Sequence, residues 1–180
     1  RTTMFFPKFL GGPLRVTPGF MLDALAGPSP PVDADLPSQL YATYLDFGIN
    51  PTFTPQFGGE IHLQPGLWTD FNTVSSDSVR LIATGVGVVR FTPTTSLKLG
   101  AYYIDRADIK LLPALGVLWM PNPQSRWDIF FPEPKISNYW TTTGNTQVWW
   151  YIGAEYGGGS WTYVEEGTDI RQRADINDIR

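Results

Sequence analysis

Apolar side chains recur at every second position through most of this chain, and no window holds a helical period. In residues 41–53 the odd positions are Tyr41, Thr43, Leu45, Phe47, Ile49, Pro51 and Phe53, against Ala42, Tyr44, Asp46, Gly48, Asn50 and Thr52. Successive strand side chains point to opposite faces, so such a run makes a ribbon with one greasy side and one polar or small side. In residues 59–71, Ile61, Leu63, Leu67 and Phe71 oppose Glu60, His62, Gln64 and Asp70. Over 79–91 the odd face is small or apolar again, and Arg80, Thr84 and Arg90 fall on the even one. Further strands are predicted over 96–106, 111–120, 126–139 and 146–156, with weaker ones over 160–164 and 14–21. Glycines (18) and prolines (16) leave few places for long helices. The fold class is all-β.

The connections sort into two kinds. "FTPQF", "FTPTTS" and "MPNPQS" are short, each with a proline just past an aromatic, as a tight hairpin with preset φ would use. They alternate with the longer polar joins "NTVSSDS", "DRADIK" and "SNYWTTTGNTQ". In an up-and-down meander the short turns then share one end and the long loops the other, the asymmetry of outer-membrane barrels. Aromatic residues fit two interfacial belts: Phe53, Phe91, Trp119 and Trp127 toward the short turns, Tyr41, Phe71, Tyr103, Tyr139, Trp140, Trp149 and Trp150 toward the long loops. The expected fold is an antiparallel up-and-down transmembrane β-barrel of about 8–12 strands. One domain spans residues 1–180.

Composition bears on what the outward face meets. Charged residues are 17% of the chain, below the roughly 25% of typical soluble domains, while aromatic residues reach 14%. A soluble barrel with its apolar face inward should carry a richly charged outer phase, yet the polar phase holds Gly, Tyr, Thr and isolated charges. Lipid against the odd face accounts for that better. The net charge of −4 and the lack of a Lys/Arg cluster exclude a nucleic-acid surface. With no cysteine there is no disulfide framework, thiolate site or cysteine nucleophile. No apolar run approaches a spanning helix; the best, "LLPALGVLWM", has a proline and a glycine within it. The start "RTTMFFPKFL" shows no signal peptide, as expected of a mature or trimmed chain or of one that is not exported, and "RADINDIR" reads as the entrance to a further strand.

Candidate chemistry is sparse. His62, the one histidine, has Glu60 and Gln64 two residues away on its own face; a polar stripe lining an interior explains these better than a general base or a metal site, which would bring a second His or more carboxylates. "GGGSW" around Ser160 lacks a nucleophile elbow and reads as a Gly-rich strand entry. "SPPVDADLPS", with Asp33 and Asp35, falls short of a calcium loop and reads as a proline-stiffened external loop. Pro132 and Pro134 in "FFPEPKIS" mark a bulge, a strand end or an unpaired edge. The lumen-lining set is Asp46, Asn50, Glu60, His62, Gln64, Arg80, Arg90, Lys98, Asp128 and Glu155. No catalytic residue, metal or cofactor is assigned.

The segments "LYATYLDFGINPTFTPQF", "SDSVRLIATGVGVVRFTPTTSLKLGAYYIDRADIKLLPALGVLWMPNPQSRWDIFFPEPKIS" and "YIGAEYGGGSWTYVEEG" resemble an uncharacterised family, a domain of unknown function, of predicted bacterial outer-membrane β-barrels. Its more specific parts are "DRADIKLLPALG", "PNPQSRWDIFFPEPK" and "GAEYGGGSW". The resemblance implies fold and location in the outer membrane, with lipid and envelope proteins as partners, and supplies no reaction. The expected function is a non-catalytic small channel or scaffold component. The alternatives are a soluble lipocalin-like barrel for a hydrophobic ligand and, behind it, an outer-membrane lipid-modifying enzyme.

Overall fold

The computed structural model describes residues 3–9, 12–25, 37–72, 74–164 and 170–179. The Asp33/Asp35 loop lies outside the described residues. The alternating runs form ten strands in simple chain order: β1 (Met4–Phe9), β2 (Gly12–Ala24), β3 (Gln39–Ile49), β4 (Phe57–Thr69), β5 (Val79–Arg90), β6 (Thr95–Tyr103), β7 (Leu111–Asn122), β8 (Ser125–Phe131), β9 (Lys135–Thr143) and β10 (Thr146–Gly153). Each pairs antiparallel with the next, so the sheet is up-and-down. Two more strands, β11 (Tyr156–Val164) and β12 (Arg171–Ile179), pair with each other and bring the sheet to twelve. They reach it through a single parallel bridge, Thr162 to Thr69. Among the described residues the sheet is not closed: β1 and β10 end the ten-strand path with no strand paired on their outer sides. Among the described residues the one helix is a short 3-10 turn, Ser76–Ser78, capped by Ser75.

The turns at 50–56, 91–94 and 123–124 share one end of the meander, as their proline-bearing sequences predict. Residues 70–78 and 104–110 join strands at the other.

The side-chain phase is sharp from β3 to β8. Register pairs odd residues with odd ones, as in Leu63 with Ala83, Leu99 with Leu115 and Trp119 with Trp127. Adjacent residues then fall on opposite sides: Lys98 is 5% exposed and Leu99 61%, Arg80 7% and Leu81 47%, Phe130 3% and Ile129 57%. Leu45, Ile61, Leu63, Leu115 and Val117 join the exposed row. The even side curls round an interior holding two clusters. Leu40, Ala42 and Trp68 pack with Trp161 of β11; Val86 and Ala114 pack with Phe130, Tyr102 lying against them.

The phase inverts at both ends of the meander. Leu14 pairs with Ile49 and Asp128 with Lys135, so even residues on one strand share a face with odd ones on the next. A one-residue change in register turns every side chain over. Phe20 and Leu22 of β2 consequently sit with the odd, exposed row.

Three expectations need correction. The strand predicted over 126–139 is two strands, broken at 132–134, where two prolines cannot donate to a ladder. "SNYWTTTGNTQ" is not a long join but the tight β9–β10 hairpin, turning at Gly144 with φ +59°. Tyr139, Trp140, Trp149 and Trp150 therefore belong near the short turns: the Tyr139 amide donates to the carbonyl of Gln124 in the β7–β8 turn at 2.8 Å. The inverted phase also places Trp149 beside Lys135 and Ser137 around the groove they share with Pro93 and Pro123, not in an outward belt. The other belt residues keep their ends. Phe53 and Phe91 are exposed beside the short turns, where Trp119 meets Trp127 edge-on at 5.2 Å. Tyr41 and Phe71 meet at 5.1 Å at the long-loop end, where Tyr103 closes β6.

Candidate functional site

Curling brings inward residues of β2 to β9 around one chamber of about 490 Å³. Of the lumen-lining set, Asp46, Glu60, His62, Gln64, Lys98, Asp128 and Glu155 all border it. Their even numbers on β3 to β8 put them there; Glu155 arrives by the β10–β11 turn.

The remaining three lie elsewhere. Asn50 and Arg90 border a smaller cavity of about 270 Å³ behind the short turns, where Arg15 also hydrogen-bonds Asn50. Arg80 is buried at the opposite end, 3.6 Å from Asp105 and 3.4 Å from the Thr162 hydroxyl.

One ammonium organises the centre of the chamber. Lys98 Nζ lies 3.1 Å from Glu60 and 3.4 Å from Asp128, and 4.3 Å above the Phe130 ring. Arg126 approaches Asp128 from the rim at 3.8 Å. A lysine this deeply buried needs such partners, since burial of an unpaired charge is costly. On the β3–β4 side His62 Nδ1 is 2.9 Å from Asp46 Oδ1. The imidazole lies across Gly48, its cross-strand partner, where a Cβ would come within 2.8 Å of the ring. Glycine there makes room for the histidine.

The chamber wall carries five carboxylates, Asp46, Glu60, Asp128, Glu133 and Glu155, against the cations Lys98, Arg106 and Lys135, with His62 besides. Five acidic groups against three basic ones give the wall a formal negative balance, and such a balance favours cations over anions in a low-dielectric cleft. Among the described residues no group of three or more His, Asp or Glu could hold a metal ion. Ser160 sits within β11 and hydrogen-bonds Asp175, with Arg173 donating to it at 2.5 Å.

Sequence reasoning missed the cap of the chamber. Gly157, Gly158 and Gly159 of β11 border it, as do Tyr156 and Arg106. Arg106, 3% exposed, donates from Nη1 to Asn177 Oδ1 at 2.5 Å and from Nη2 to the Gly157 carbonyl at 2.7 Å, with its guanidinium 4.9 Å from the Tyr156 ring centre. Asp175 accepts from Ser160, from the Ala107 amide and from Arg173. Burial pushes the Asp175 carboxyl up, but these hydrogen bonds outweigh it and hold the group below its ordinary range. The fold joins "DRADIKLLPALG" and "GAEYGGGSW", far apart in the chain, at Arg106 and Gly157.

No protein-family model matches the chain, and no match is found among curated proteins or among solved structures.

Proposed function

We propose that this chain forms the wall and interior of a bacterial outer-membrane β-barrel, a non-catalytic small channel with a cation-favouring chamber, or a scaffold component where no current flows. The observation that carries the reading is the outward row of β3 to β8. Leu45, Ile61, Leu81, Leu99, Leu115 and Ile129 are each at least two-fifths exposed, while Asp46, Glu60, His62, Arg80, Lys98 and Asp128 beside five of them turn inward. Monomeric soluble proteins rarely leave so long an apolar band in water, whereas acyl chains solvate it. A soluble cup for a hydrophobic ligand calls for the reverse phase, apolar inside and charged outside.

The test is solubility and mobility together. The reading expects a protein that needs detergent to stay monodisperse and migrates differently on gels with and without heating. A monodisperse protein in plain buffer would sink it. In planar bilayers, cation-preferring conductance altered by Glu60→Gln supports the channel; zero conductance leaves the scaffold.

A further inference from the structure

We propose that the β11–β12 hairpin is a removable plug that closes the chamber toward the long-loop end; this rests on the membrane-barrel reading above. The hairpin pairs along its whole length, β11 with β12 from Tyr156–Ile179 to Val164–Arg171. Among the described residues its link to the ladder of the ten-strand wall is the single Thr162–Thr69 bridge. Undocking therefore breaks one ladder bridge and the bond from the Tyr156 amide to the Pro132 carbonyl, and leaves the pairing of β1 to β10 intact.

Side chains do the holding. Trp161, fully buried, enters the inward cluster of Leu40, Ala42 and Trp68. Most polar contacts come from the two long connections and the strand starts beside them, and the Tyr156 amide also donates to the Pro132 carbonyl at 3.1 Å. Arg106 grips Asn177 and the Gly157 carbonyl, the Ala107 amide reaches Asp175, and the Thr162 hydroxyl donates to the Asp77 carbonyl at 2.9 Å. One aromatic anchor and a ring of charge-assisted hydrogen bonds form a latch that can open as a unit. On the chamber side the hairpin presents the backbone of Gly157–Gly159, a smooth lid over the Lys98 network.

The chain has no cysteine, so a disulfide can be introduced without background. Thr69 and Thr162 are bridge partners, within the reach a disulfide requires, so Thr69→Cys with Thr162→Cys should lock the plug when oxidised. Planar-bilayer current is measured before and after reduction, with Arg106→Ala as a second variant without cross-link. The expected result is current lower by roughly tenfold or more in the oxidised form, recovered on reduction, with Arg106→Ala raising open time about as much. Equal current in both redox states, zero included, overturns the plug. Failure of the disulfide to form in a chain that inserts and is heat-modifiable also overturns it, and places β11 and β12 in the wall. A chain that does not insert into lipid at all sinks the membrane reading instead, which separates the two failures.

Discussion

The β3–β7 wall and the β8–β12 end are made from similar sequence, yet they solve the problem of an apolar face differently. In the wall each strand is paired on both edges along most of its length, and apolar residues alternate outward with polar or packed residues inward. In the end region β8 stops at Phe131, β9 and β10 reverse phase, and β11 leaves the path to pair with β12 against the inward face. The wall's apolar surface is turned out to the medium; in the end region Trp140, Trp150 and Ile152 are exposed too, while Trp161 is fully buried within the chain. Regular register gives a two-faced sheet, and broken register gives a filled interior.

The largest expected effect separates the two regions. Trp161→Ala should cost about 3–5 kcal/mol at its site, yet hydrogen exchange is expected to rise over 156–164 and stay unchanged over 79–90. Equal loss of protection in both would show one cooperative unit, and the contrast would fall. Leu99→Arg addresses the other side. For an outward residue at mid-membrane it should cost about 2–4 kcal/mol in denaturant unfolding from lipid vesicles; a change within about 0.5 kcal/mol would mark that surface as wet.

Lys98→Met is expected to be smaller, about 1–3 kcal/mol, because Glu60 and Asp128 lose their shared cation while keeping some contact with chamber water. The loss is read from the same unfolding curves. An unchanged curve would show that the network contributes nothing. The mildest effect concerns pH at the latch. The folded Asp175 carboxyl lies below its unfolded range, so its share of docking is full above about pH 4 and fades as pH falls through the lowered value. Arg173, Arg80 and Asp105 surround this knot. Hairpin amides should therefore exchange faster in acid than wall amides; a hairpin that tightens on acidification would contradict the latch.

These regions also differ in how far the sequence reveals them. The wall was legible because Ile61, Leu81 and Leu99 share odd numbering and their registers preserve it, so Glu60, His62, Gln64 and Lys98 could be placed together in advance. Met21 and Lys135, which also border the chamber, could not be placed, since their side is set by the registers of β2 and β9, and a single residue of slip reverses it. The prolines at 132 and 134 announced an interruption without saying that the next strand would turn over. Arg106 was invisible as a site residue for a different reason: its partners, Gly157 and Asn177, are far away in sequence and offer a carbonyl and an amide, which carry no motif.

The central claim is that the odd row of β3 to β7 faces acyl chains. Single cysteines at Leu45, Leu81 and Leu99, and at Gln64 and Thr84 on the chamber side, can each carry a fluorophore in vesicles containing bromine-labelled lipid tails. The account predicts strong quenching at the three leucine positions and little at the other two. Quenching at Gln64 and Thr84 with none at the leucines, or equal quenching at all five, would contradict it.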